Sequence, residues 1–129
     1  MWYNESDLPA TKSGKESDII VSIINLFKHM DIDTGVEKFL NTDNAVLLDV
    51  RTKEEYEAGH IENSVNIPLQ SIEAAEEKIA DKNAPLFVYC QSGARSKNAT
   101  AALKTMGYVN ITNIGGISKY HGKLVKGDL

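Results

Sequence analysis

The chain has 129 residues, 42% of them apolar and 25% charged, which is enough to bury one compact core and too short for two comfortable domains. Fourteen Lys and Arg against eighteen Asp and Glu leave a net charge of -4, which argues against general nucleic-acid binding by electrostatics. A single cysteine, Cys90, excludes an internal disulfide and a multi-cysteine zinc site, and leaves either a small buried residue or a reactive thiol.

Residues 1–17 hold the one Trp among scattered Pro, Gly and charge, and read as a flexible N-terminal tail. Residues 18–30 read as an additional helix, with Ile19, Ile20, Ile23, Ile24 and Phe27 at helical spacing. Its apolar run is far shorter than the roughly 20 residues that span a bilayer. Glu16 and Asp18 precede it in place of a positive region, and no small-residue cleavage site follows. The expectation is therefore no membrane partner, a cytoplasmic location, and a helix packed on the domain or forming a homodimer with a second copy.

Regular patterning occupies residues 31–129. Asp33 or Thr34 is expected to cap a helix from Gly35 to Leu40, and AVLLDV, Ala45 to Val50, is a continuous apolar run of strand length. Thr52 followed by Glu55 is a capping box that opens a helix ended by Gly59. Ile61 to Ile67 is a weaker strand stopped by Pro68, and Ser71 caps a helix from Ile72 to Ala80. PLFVY, Pro85 to Tyr89, is a second buried strand. Ser96 to Met106 forms a helix stopped by Gly107, Val109 to Ile114 another strand, and a last helix holds Tyr120. Strands alternating with helices make a three-layer α/β domain with a parallel or mostly parallel sheet.

Cys90 stands immediately after PLFVY, and ligands of open α/β sheets bind at the carboxyl ends of strands. The connection Cys90-Gln91-Ser92-Gly93-Ala94-Arg95-Ser96 has no bulky apolar residue, and Gly93 lets it curl. A curled loop at a helix start points backbone N–H groups inward and favours an anion such as a thiolate, a persulfide or an oxyanion. Arg95 adds a planar set of donors suited to oxyanions. These features together favour a reactive thiol over a merely buried cysteine.

From this point the chain resembles the rhodanese-like family, over roughly Asp31 to Gly127. LLDVRTKEEYEAGHIENSVNIPL is similar to the family's first signature, VYCQSGARS to its active-site loop, and MGYVNITNIGGI to the stretch before its last helix. The resemblance implies a five-stranded parallel sheet flanked by helices, and sulfur transfer through a cysteine persulfide. Ser64-Val65 depart conservatively from the family's usual small residues, and Tyr120 stands where a Trp is frequent.

Four residues separate Cys90 from Arg95, whereas cysteine phosphatases place five there. The narrower loop suits a persulfide's outer sulfur better than a tetrahedral phosphate. Arsenate reduction normally needs a resolving thiol that a lone cysteine does not supply. The expected activity is thus a thiosulfate or persulfide sulfurtransferase, with Cys90 catalytic and Gln91, Ser92, Gly93, Ala94, Arg95 and Ser96 binding substrate. The alternative is a sulfur carrier or binding module that a partner loads.

One cysteine suffices for two successive displacements, so no cofactor and no metal are expected. The expected partners are a small anionic or persulfide donor and a thiol acceptor, either small or on a protein. Asp49 and Arg51 are expected to support the pocket, either functionally, Asp49 orienting Arg95 or the loop and Arg51 attracting anions, or structurally, Asp49 bonding loop backbone and Arg51 pairing with a helix carboxylate such as Glu55; the structural role is favoured for both. Lys97 beside the loop either steers anions or faces water. His60 is expected to be a scaffold residue, and His29 and His121 receive no role.

Overall fold

The computed structural model describes residues 30–127. The expected tail at 1–17 and nearly all of the expected helix at 18–30, together with the dimer surface suggested for it, lie outside the described residues.

Helix α1, Ile32–Leu40, starts at Asp31, whose side chain accepts the Thr34 N–H. The cap thus falls two or three residues before the expected Asp33 or Thr34. Strand β1, Val46–Asp49, leads through Arg51 into helix α2, Lys53–Ala58. Here the predicted capping box is present in full: Thr52 accepts from the Glu55 N–H while Glu55 reaches back to Thr52.

The expected strand Ile61 to Ile67 is broken in two, into β2 at His60–Ile61 and β3 at Ser64–Asn66. Between them Asn63 sits at φ 73°, a left-handed turn that no continuous strand accommodates. The expected helix from Ile72 to Ala80 is a 3-10 segment, Leu69–Ala74, followed by a single turn α3, Ala75–Lys78; Ser71 is non-helical inside it rather than a cap.

Strand β4, Leu86–Cys90, precedes helix α4, Ala94–Thr105. Strand β5, Ile111–Gly116, starts and ends two residues later than expected. The expected last helix is only a 3-10 turn, Ile117–Lys119, with Tyr120 as its cap, followed by strand β6, Leu124–Val125.

The central sheet is parallel with the order β3-β1-β4-β5, so among the described residues it has four strands and not the expected five. The remaining strands, β2 and β6, pair antiparallel in a separate two-stranded ribbon. The left-handed turn at Asn63 sends the chain from that ribbon into the main sheet, so neither short strand extends the parallel order.

Period-two alternation divides the core between the two faces. Leu48, Leu86, Val88 and Cys90 pack with Ala99 and Leu103 of α4 and with Ile72 and Ala75. Leu47, Phe87 and Tyr89 point the other way, onto Ile32 and Val36 of α1 and onto Ile114. Helices therefore cover both faces of a buried sheet, giving the three-layer α/β arrangement. Among the described residues no helix is long and apolar enough to cross a membrane.

Candidate active site

Alternation along β4 sets the direction of Cys90. Its side chain falls on the α4 face, at the strand's last position, and is wholly buried. The chain then turns over the sulfur. Gly93, at φ 107°, is the N-cap of α4, a backbone conformation that other residues adopt only with strain. That turn lets the Gly93 N–H donate to Cys90 Sγ at 2.9 Å. Ser96, in the first turn of α4, places its Oγ 3.5 Å from the sulfur.

Two opposed effects set the thiol's acidity. Burial pushes the Cys90 pKa up, but the Ser96 hydroxyl and the N–H groups of Ser96, Gly93 and Ser92 stabilise the anion and leave the net value below that of an ordinary cysteine. The α4 N-terminus points the same way.

The loop is pressed against the end of β5. The Ser118 N–H donates to the Gln91 carbonyl at 3.1 Å. A Cβ at Gly116 would lie 2.5 Å from the Gln91 carbonyl oxygen and 2.7 Å from Ser92 Cα, so only glycine permits the approach. Beside this contact opens a cleft of about 450 Å³, whose lining includes Ser92, Gly93, Ala94, Ile114 and the two lysines Lys97 and Lys119. Gln91, Ser92 and Ala94 are exposed, as is Lys97.

The two arginines find different carboxylates from those expected. Arg51 is buried and paired with Asp49, its Nη2 2.8 Å from Asp49 Oδ2. Arg51 also donates to the Gly59 carbonyl at 2.7 Å and to Gln91 Oε1 at 3.3 Å, tying the end of β1 to the α2–β2 turn and to the loop. Asp49 accepts the Arg51 backbone N–H as well, at 2.8 Å. Asp49 thus bonds the backbone of the loop after β1 and the Arg51 side chain, while Arg95 goes to another carboxylate.

Arg95 turns to Glu55, with Nη1 2.7 Å and Nη2 3.0 Å from its two oxygens. Glu55 is the same residue that completes the α2 capping box, accepting the Thr52 N–H at 3.0 Å. The Arg95 guanidinium, opposed by partial burial and helped by the Thr52 N–H and hydroxyl, holds the Glu55 carboxyl down to about 2.

Two further side chains belong to the site although their spacing gave no sign of it. Glu55 signalled its cap but not its partner forty positions away. Asn113 lies on β5, and its Oδ1 accepts the Ser96 hydroxyl at 2.8 Å and the Gly115 N–H at 2.9 Å. Only the polar residue within an otherwise strand-like ITNIGG could have pointed to it. His60 is a buried scaffold residue stacked on Tyr56 at 3.7 Å, and His121 pairs with Asp33 at 2.6 Å on the surface. Among the described residues no group of three or more His, Cys, Asp or Glu is placed to hold a metal ion.

A nucleophile of depressed pKa beneath inward N–H groups can attack an electrophilic sulfur and carry the product as an anion. Similarity to known proteins is consistent in kind. The family model of the Rhodanese-like domain matches residues 34–123. The thiosulfate sulfurtransferase PspE of Escherichia coli K12 is 37% identical over 81 residues, covering 62% of this chain and 78% of that protein. The tRNA uridine(34) hydroxylase of Buchnera aphidicola is 36% identical over 91 residues, but the match spans only 29% of its length and 66% of this chain. Among solved structures, a rhodanese with anions from E. coli superposes with a TM-score of 0.60 at 36% identity, covering 64% of this chain and 99% of that one.

Proposed function

The chain belongs to the rhodanese-like domain family, and on that premise we propose that it transfers sulfane sulfur from thiosulfate or a persulfide donor to a thiophilic acceptor through a persulfide on Cys90. The observation that carries this reading is the sulfur's setting: Sγ sits 2.9 Å from the Gly93 N–H under the start of α4.

In the first half-reaction the Cys90 thiolate attacks the outer sulfur of the donor. With thiosulfate a new S–S bond forms at Cys90, the donor's S–S bond breaks, and sulfite leaves with the electron pair. In the second half-reaction the acceptor's thiolate, or cyanide in an assay, attacks the outer sulfur of the persulfide and Cys90 leaves as thiolate. Electrons balance within each displacement, and the two steps share one residue, so the kinetics are ping-pong. The backbone N–H groups of the loop stabilise the sulfur anion in both states.

The position of Arg95 disfavours the phosphatase reading. The loop has four residues between Cys90 and Arg95 where cysteine phosphatases have five, and both terminal nitrogens of Arg95 are engaged by Glu55. In the sulfurtransferase reading Arg95 offsets the Glu55 charge at the loop's edge and so lowers the cost of bringing an anionic donor there.

The test is to incubate the protein with thiosulfate and cyanide, follow thiocyanate, and weigh the protein for one added sulfur atom on Cys90. Thiocyanate formation that disappears in Cys90→Ser is expected. A sulfur adduct without turnover would point to a carrier loaded by a partner. A Cys90 inert to both donor and thiol reagents would sink both readings.

A further inference from the structure

The Ser96 hydroxyl is surrounded by more acceptors than it has protons. Its one O–H lies 3.0 Å from the Gly93 carbonyl, 2.8 Å from Asn113 Oδ1 and 3.5 Å from Cys90 Sγ, and Ser96 is wholly buried, so water does not relieve the competition. The carbonyl and Oδ1 accept only. The Gly115 N–H donating to Asn113 Oδ1 identifies that atom as oxygen rather than the amide nitrogen.

Each competing acceptor also has a second donor. Asn113 Oδ1 keeps the Gly115 N–H at 2.9 Å, and the Gly93 carbonyl keeps the Lys97 N–H at 3.2 Å. When the Ser96 O–H rotates away, neither is left as a buried acceptor without a partner, which would cost about 1 to 3 kcal/mol. The rotation toward sulfur therefore costs the Asn113 hydrogen bond but orphans no buried acceptor.

We propose that Asn113 is a positioning residue that holds the Ser96 proton while Cys90 is a neutral thiol and releases it to the sulfur when Cys90 becomes a thiolate. No bond breaks. With a neutral thiol, the Cys90 S–H donates to Ser96 Oγ and the Ser96 O–H donates to Asn113. With a thiolate, the Ser96 O–H turns to Sγ while Asn113 Oδ1 keeps the Gly115 N–H.

The bulge in β5 makes this arrangement. Val88 pairs with Asn113, but Tyr89 pairs with Gly115, so the ladder skips Ile114. The Asn113 side chain closes that irregularity by accepting the Gly115 N–H, and the same oxygen faces α4 at Ser96. The dominant anion-stabilising contributions to Cys90 begin with the Ser96 side chain, which agrees with this placement.

The inference rests on Cys90 being the sulfur-bearing residue, but its test reads titration and not transfer. A Cys90 that titrates as expected yet carries no sulfur would sink the proposed function and leave this arrangement standing. The charged groups around the loop are Arg95 with Glu55, Arg51 with Asp49, and Lys97, Lys119 and Asp31 at the cleft; Tyr89 lies beneath, its pKa raised by burial. None of them is altered in the variants below.

The experiment measures the Cys90 pKa from the pH dependence of alkylation in the full chain. Asn113→Ala removes the competing acceptor, so the pKa is expected to fall by roughly half a unit to one unit. In a Ser96→Ala background the same change is expected to have no effect. A rise in pKa, or an equal shift with and without Ser96, would overturn the proposal, because a merely structural Asn113 acts independently of that hydroxyl.

If Asn113→Ala does not fold, amide NMR of the unaltered protein decides. On titrating Cys90, the Gly115 N–H should move downfield as its bond to Asn113 strengthens. Movement of the Lys97 N–H with Gly115 unmoved would make Gly93 the resting acceptor and dismiss Asn113.

Discussion

Two arginine–carboxylate pairs flank the loop, and they have little in common beyond their chemistry. Arg51–Asp49 is buried at the end of β1, with side chains 5% and 0% exposed, and it also bonds the Arg51 N–H, the Gly59 carbonyl and Gln91 Oε1. Arg95–Glu55 lies at the loop's outer edge, with both side chains about one-third exposed. The first pair is interior and expensive to disturb, because removing one partner leaves a charge in a place water does not reach. The second is partly screened and worth little to stability, yet its charge lies beside the loop. Burial, more than the identity of the residues, separates scaffold from adjustable electrostatics here.

Breaking the inner pair should have the largest effect. Arg51→Ala leaves Asp49 unpaired and also frees the Gly59 carbonyl, so a loss of about 3 to 5 kcal/mol in urea unfolding is expected. A loss under about 1 kcal/mol would mean that the pair behaves as a surface one. Breaking the outer pair should be felt in activity instead. Arg95→Ala leaves the Glu55 charge unopposed near the loop. It should lower kcat/KM for thiosulfate by on the order of tenfold while changing stability by no more than about 1 kcal/mol. A neutral persulfide donor should suffer distinctly less; equal losses for both donors would remove charge as the cause.

The smallest effect is a pH dependence. Glu55 is held at about 2 in the folded protein against an ordinary 4.5. Its contribution to stability is complete above pH 4.5 and is lost as pH falls through about 2. Glu55→Gln should flatten the stability profile across that window, by a modest amount given the exposure of the pair. A profile of unchanged slope in the variant would show that other carboxylates govern the acid limb.

What the sequence disclosed and what it withheld follow from the range of the forces involved. The capping box is a four-residue pattern, and Thr52 and Glu55 are where that pattern places them. PLFVY is a buried strand because its alternation serves two cores at once. Cys90 at the strand end and Gly93 with positive φ were equally local. The pairings were not. Glu55 with Arg95, and Ser96 with Asn113, join residues far apart in the chain, and no spacing rule encodes which carboxylate a given arginine meets.

The Ile61 to Ile67 stretch misled for a different reason. Its apolar content is that of a strand, but a turn at Asn63 divides it between two sheets. Composition does not show that the ladder partner changes midway.

Glu55 serves two elements with one carboxylate. Its Oε1 accepts the Thr52 N–H that starts α2, and the same carboxylate grips Arg95 at the mouth of the loop. A change at 55 is therefore registered twice, as a frayed helix start and as a slackened loop. A change at 52 touches the helix start alone and a change at 95 the loop alone, so position 55 is the one through which the two are joined.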